Sequence, residues 1–216
     1  MIRNMGRPKE HGSQTRAALL AAAAAILHQE GRGAVTVRRV ADEVGTTTRA
    51  VYSLFGDKDG LLRELSVDVA ETMRRHHESV PEGDDPTAEI VQLALGYRAA
   101  ALEKPNQYGL FLDEIRADAS PDDPIFALVY RSFERVLQVI RRCLAAGLFP
   151  GRDEFAVGRF LLGIVHGLAS LELRGVLGPP ARAAEVWRLS VTAALAGLRQ
   201  PSDPNSVAAP PEPSVH

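Results

Sequence analysis

An all-α protein, with a small helical domain followed by a larger one, is what the 216-residue sequence predicts. Three observations predict it. Apolar residues recur three and four apart through most of the chain, the spacing that lines one side of an α-helix. Alternating apolar and polar runs are scarce, as are the turn signals that join paired strands. The periodic runs are also bounded by helix punctuation, with threonine or aspartate before them and glycine or proline after them. The chain is long enough to bury a substantial core as one large domain or two small ones.

Residues 1–12 are polar, with Arg3, Arg7 and Lys9 spaced along them. They read equally as a basic arm that orders on a phosphate backbone or minor groove and as a disordered terminus. Ser13 is the expected N-cap of a first, alanine-rich helix that ends at Glu30-Gly31. Thr36 caps a short second helix whose apolar side is Val37, Val40, Ala41 and Val44, and Gly45 ends it by taking the left-handed conformation. Thr46, Thr47 and Thr48 offer hydroxyls to cap a third helix that buries Val51, Leu54 and Phe55. Asp57 caps a fourth helix running to about His77, with Leu62, Leu65, Val69 and Met73 inward.

An acidic, turn-rich link over 78–86 leads to the second domain. Helices are expected over 87–104, stopped by Pro105, and over 107–117. A loop at 120–124 precedes a helix from Pro124, well placed at a first helical position, to about 146. The most apolar segment, 153–174, and a last helix over 180–198 follow, and 201–216 holds five prolines and reads as a disordered tail. The expected domains are thus a flexible arm over 1–12, a first helical domain over 13–58, a second over 59–200 and the tail.

Several function classes are disfavoured. Cys143 is the only cysteine, which rules out an intrachain disulfide and a multi-cysteine zinc site, reads as a packed thiol, and makes a cytosolic protein the default. The basic residues before the apolar run 17–27 imitate a signal peptide, but the run leads straight into helical pattern with no cleavage region. The run 160–173 is short of the roughly 20 apolar residues a bilayer needs and is interrupted by His166 and Glu172. No nucleophile elbow, phosphate-cradling glycine loop or metal-ligand spacing occurs, so neither an enzyme nor a cofactor or metal is expected. The formal net charge of −2 hides an asymmetry: residues 1–58 hold nine Lys or Arg against five Asp or Glu, and the remainder 16 against 22. A basic front and an acidic back suit a protein that meets phosphates with one end.

The stretch 36–55 fits a helix-turn-helix, in which the second helix enters the DNA major groove, and fits an ordinary helical corner as well. Lys58, at the start of the fourth helix, is placed to hold an anion with its own charge and the helix N-terminus. Residues 13–62 as a whole resemble the DNA-binding domain of the TetR/AcrR family of bacterial regulators. The resemblance rests on the Ala-rich helix ending Glu-Gly, Thr36-Val37, Val40-Ala41, Val44-Gly45, Val51-Tyr52-Ser53-Leu54-Phe55, and Lys58 with Leu61-Leu62. It implies that Thr36, Thr47, Tyr52 and Lys58 touch phosphates, with Thr46 beside them, and that Thr47, Thr48, Arg49 and Ser53 face base edges. Two features depart from the family pattern: Arg49 stands where glycine is common, and Ser53-Leu54 where a basic or aromatic residue and histidine are common. Arg49 suits a two-bond contact to guanine, and it also has the reach for a phosphate.

Gly163, His166, Gly167 and Ser170 form a stripe of small or polar residues along one apolar helix, whose other side is expected to bury Phe160, Leu161, Ile164, Leu168 and Leu171. The segment Ile164-Val165-His166-Gly167-Leu168 resembles the C-terminal part of TetR regulators with a WHG ending, without its tryptophan. That resemblance implies a four-helix homodimer interface built by the last two helices, with the stripe in it. It also implies an effector cavity among the middle helices, whose aromatics include Tyr108, and for which Met73, Tyr97, Phe111, Tyr130 and Phe133 are the candidate lining. Asp113 and Glu114 suit a cationic effector or a solvated helix face. The expected function is a ligand-released homodimeric repressor on a palindromic double-stranded operator, with no membrane partner. The rivals are an effector-independent DNA-binding factor and a helical small-molecule enzyme or carrier.

Overall fold

The computed structural model describes residues 8–113 and 124–201. Among them the chain forms nine α-helices and no strand: α1 Pro8–Glu30, α2 Val37–Val44, α3 Thr48–Phe55, α4 Lys58–Glu78, α5 Pro86–Glu103, α6 Tyr108–Asp113, α7 Pro124–Ala145, α8 Glu154–Leu173 and α9 Pro180–Leu198. The all-α expectation is met. The readings placed on Arg3, Arg7, Glu114, the loop before Pro124 and the tail after 201 lie outside the described residues.

Local chemistry sets most boundaries as the sequence implies. Thr36, Thr47 and Asp57 each accept a hydrogen bond from the backbone N–H three residues on, at 3.2, 3.2 and 2.7 Å, and so start α2, α3 and α4. Gly45 ends α2 at φ 69°, with its N–H and that of Thr46 returning to the carbonyls of Asp42 and Ala41. Asp153 caps α8 through the Ala156 N–H at 3.0 Å. One boundary differs. α1 begins at Pro8, so Ser13 lies inside it and residues 8–12 of the expected arm are helical. Proline has no N–H to lose at a first helical position, and its ring presets the helical φ.

The described residues divide into two compact units. The first comprises residues up to Val80 together with Gly96–Arg135, and the second comprises Pro81–Leu95 together with residues from Val136 on. The expected boundary at 58/59 is therefore not a boundary between compact units: α4 runs unbroken through it, and the divisions fall in the α4–α5 link and inside α5 and α7. In the first unit Leu19, Ala23 and Ile26 of α1 share one core with Val40, Val51, Phe55, Leu61 and Leu65, and Leu110 of α6 joins the same cluster. Arg16 ties three helices of this unit together, pairing with Glu64 of α4 while its guanidinium carbon lies 5.6 Å from the Phe55 ring centroid.

In the second unit, α8 and α9 pack with Val157, Leu161, Val165 and Leu168 buried on one and Ala183, Trp187, Val191 and Leu195 on the other. Glu89 is buried but not left alone, since Arg142 donates to it at 2.7 Å while also reaching the Gly83 carbonyl at 2.5 Å. Burial pushes the Cys143 thiol up to about 11, so it stays protonated, as a packed thiol should. Two expectations for α8 need correction. The helix extends back to Glu154, so by length and composition alone it is sufficient to cross a membrane. Five of its positions are buried in the second unit, and Arg159, His166 and Glu172 lie along it, groups that are costly to place in hydrocarbon. Phe160 and Leu171 are exposed rather than buried, because at helical periodicity they lie three and four residues from Gly163 and Gly167 and so share their side.

Candidate functional site

The short helices α2 and α3 each bury one side and expose the other, and nearly all of the sequence-predicted DNA residues fall on the exposed side. Val40, Ala41, Val51 and Phe55 face the core, while Thr36, Thr47, Thr48, Arg49, Tyr52 and Ser53 are exposed and Thr46 is half-buried. The capping bonds leave this surface chemically matched to phosphate. The Thr36 and Thr47 hydroxyl oxygens accept from the backbone, so the hydroxyl hydrogens remain to donate outward, and phosphate oxygens only accept. Arg49 makes no hydrogen bond or ion pair among the described residues, and Tyr52 is 55 % exposed. A guanidinium that no described residue holds, on the first turn of α3, has its donors available to a phosphate or a base edge.

Lys58 is placed differently from the expectation. Its ammonium donates at 2.9 Å to the Arg32 carbonyl in the α1–α2 loop, and the α4 N-terminus it shares is already occupied by the Asp57 carboxylate. One of its three N–H donors is thus committed, and an anion there would meet a carboxylate. Sequence reasoning missed this because the acceptor is a backbone carbonyl 26 residues away. It also missed that Arg39 of α2 is held by Glu30 at 2.7 and 3.2 Å.

Three of the five candidate effector residues, Tyr97, Phe111 and Phe133, come together in the first unit, and Met73 is buried in the same unit. Met73, Tyr97 and Phe111 are buried and Phe133 is half-buried, with Phe133 6.3 Å from the Tyr97 ring and 6.2 Å from that of Phe111. Tyr130 is exposed and its ring touches none of them, so it does not belong to this cluster. Two further residues belong, Tyr108, one of the aromatics of the middle helices, and His77, which the sequence reading did not place there. Tyr108 meets Tyr97 hydroxyl to hydroxyl at 2.7 Å, and His77 is buried with its ring 6.4 and 6.0 Å from those of Tyr97 and Phe133. The only signal for His77 was its place four residues after Met73 on the inner side of α4.

His77 Nδ1 lies 2.7 Å from the Ser132 carbonyl, which can only accept, so Nδ1 carries the hydrogen of a neutral ring. Burial holds this imidazole down to about 4. The unfolded chain binds the proton at the ordinary value near 6.5, so this contribution to stability is full above that pH and is lost as the pH falls towards 4, amounting to roughly 3 kcal/mol. His166, lowered by partial burial, acts in the same direction more weakly. The substitution His77→Asn, which keeps an N–H for Ser132 without a titrating group, is expected to flatten the urea-unfolding stability between pH 6.5 and 4.5. An equal acid slope in both proteins contradicts the assignment.

On α8 the predicted stripe is open. Gly163 is exposed, while His166, Gly167 and Ser170 are half-buried, and a Cβ built on Gly163 or Gly167 meets nothing within 4 Å. Their smallness is therefore not demanded by this chain's own packing. Among the described residues no group of three or more His, Cys, Asp or Glu side chains is gathered to hold a metal ion.

Known proteins resemble this chain in sequence and fold. The family model described as "Bacterial regulatory proteins, tetR family" matches residues 19–65, and one described as "Tetracyclin repressor-like, C-terminal domain" matches residues 90–194, together more than half of the chain. An uncharacterized HTH-type transcriptional regulator of Mycobacterium tuberculosis, Rv0681, is 23 % identical over 176 residues, covering 82 % of this chain and 77 % of that protein. Among solved structures, the TetR family transcriptional regulator PfmR from Thermus thermophilus is 25 % identical with a TM-score of 0.65, covering 84 % of this chain and 99 % of that one. A protein of unknown function from Rhodococcus sp. RHA1 shares the fold at 24 % identity and a TM-score of 0.70, covering 90 % of this chain and 100 % of the other. With a helix-turn-helix domain at its front and a family-specific helical domain behind it, the chain belongs to the TetR family of bacterial transcriptional regulators.

Proposed function

We propose that the protein is a cytoplasmic, homodimeric repressor that binds a palindromic double-stranded operator and is released by a small-molecule effector. The observation that carries this reading is the exposed face of α3, where Arg49 is unengaged and Tyr52 stands clear of the core. Thr36, Thr47 and Tyr52 bind phosphates, with Thr46 beside them, and fix the register, while Thr48, Arg49 and Ser53 reach base edges. Lys58 leaves the Arg32 carbonyl, or shares its remaining donors, to join them.

The dimer reading is supported by the uncovered side of α8 and α9. Phe155, Phe160, Leu171 and Leu189 are 56, 47, 41 and 71 % exposed, and with Gly163, His166, Gly167 and Ser170 they make an apolar surface cut by open glycines. A second copy covers such a surface with helices packed close at the glycines. Phe160→Glu combined with Leu189→Glu is expected to convert a sedimenting dimer into a monomer and to weaken operator binding, since a palindrome then meets one recognition helix instead of two. A variant that still sediments as a dimer contradicts this interface.

The effector reading is supported by the cluster of Tyr97, Phe111 and Phe133, with Met73 buried in the same unit, which suits an apolar or aromatic ligand. α6 offers a route from it to the DNA-binding helices. Its Tyr108 and Phe111 belong to the aromatic cluster, and its Leu110 belongs to the core shared by α1, α3 and α4. A ligand that displaces α6 therefore disturbs α4, and a few ångströms at each α3 spoil the spacing of about 34–36 Å between half-sites. Footprinting on the DNA upstream of its own coding region, followed by a screen of small molecules for loss of protection, tests this function. No protected site under any salt condition contradicts it.

A further inference from the structure

We propose that Glu30 is an internal stand-in for a DNA phosphate, holding Arg39 in free protein and yielding it to the backbone of the duplex, so that it tempers affinity for DNA of any sequence. This rests on the DNA-binding reading of α2 and α3. Four cationic side chains line the exposed sides of α2, α3 and the start of α4: Arg38, Arg39, Arg49 and Lys58. They are engaged unequally. Arg49 is open, Lys58 donates to a neutral carbonyl, and Arg38 faces Asp42 loosely at 3.8 Å with both side chains largely exposed. Of the four, Arg39 is held in a two-bond fork, Nη2 to Oε1 of Glu30 at 2.7 Å and Nη1 to Oε2 at 3.2 Å.

That fork is the geometry in which arginine takes two oxygens of a phosphate. The charges also sit against their own helices. Glu30 is the last residue of α1, where the helix end is partially negative, and Arg39 is in the first turn of α2, where it is partially positive. Neither helix favours its charge, and each charge is stabilised by the other. A phosphate in place of Glu30 would gain both Arg39 and the positive end of α2, next to the outward hydroxyl of Thr36. The pair is 48 and 40 % exposed, so a phosphate can approach without opening a buried interaction, and ion pairs of this kind hold weakly.

Binding of a 30-base-pair duplex selected from a random pool by the wild-type protein, and of a scrambled duplex, tests the exchange across a salt series. Glu30→Gln is expected to bind both about three- to tenfold more tightly at low salt, with the log–log salt slope steeper by about one unit. Glu30→Asp keeps the charge but withdraws the carboxylate, and is expected to move the same way by a smaller factor. In an Arg39→Gln background the gain from Glu30→Gln is expected to vanish. Unchanged affinity in both Glu30 variants, or a gain that survives the loss of Arg39, overturns the inference while leaving wild-type DNA binding intact. A wild-type protein that binds neither duplex overturns the functional reading and this inference together.

Discussion

Gly60→Ala is expected to destabilise the N-terminal unit by about 2–4 kcal/mol and to abolish tight DNA binding. Gly60 is the third residue of α4, and a methyl group built on it overlaps the Phe55 carbonyl oxygen and stands 3.1 Å from its carbon. Both obstacles are backbone, so no rotamer change relieves the clash and the α3–α4 turn must open. Opening it withdraws Phe55 from the core and breaks the Asp57 cap, which depends on the Gly60 N–H at 2.7 Å. Urea unfolding followed by circular dichroism measures the loss. Gly33→Ala, where the added atom meets nothing within 4 Å, is the matched control and is expected to stay within about 0.5 kcal/mol of wild type. Equal stability of the two variants contradicts the close approach at Gly60.

Trp187→Ala is expected to cost about 3–5 kcal/mol, since the side chain is fully buried in α9 and leaves a large cavity. Its indole N–H also donates to Glu172 Oε2 at 2.8 Å, tying α9 to the end of α8. Trp187→Phe separates the two contributions, keeping most of the packing while losing the donor, and is expected to cost about 1–2 kcal/mol. If alanine and phenylalanine cost the same small amount in denaturant unfolding, the packing role is wrong.

Much of the fold was legible because its boundaries are written in single residues. Pro180 and Leu198 bound α9 as expected, and Thr36, Gly45 and Asp57 perform the capping roles their chemistry implies. What was not legible depends on contacts far along the chain. Leu110 joins a core formed mostly by residues 19–65, and nothing in the local pattern of α6 distinguishes it from Phe111 beside it. The reading of α8 identified an open stripe and misplaced its flanks: a helix apolar nearly all round gives periodicity no contrast, so Phe160 and Leu171 were assigned to the wrong side. On the exposed sides of α2 and α3 and at the start of α4 the residue types were readable but their engagement was not, because Lys58 and Arg39 are held by partners 26 and 9 residues away. Tyr130 shows the converse limit, an aromatic residue on the right helix that points out of the cluster.

Sequence-specific reading by the exposed side of α3 is the central claim, and the difference in affinity between a selected duplex and a scrambled one at fixed salt tests it most directly. Wild-type protein is expected to prefer the selected, two-fold symmetric duplex by at least about a thousandfold. Arg49→Ala combined with Tyr52→Ala is expected to lose most of that preference while retaining weak, salt-sensitive binding to both. A double variant that discriminates as well as wild type contradicts the account.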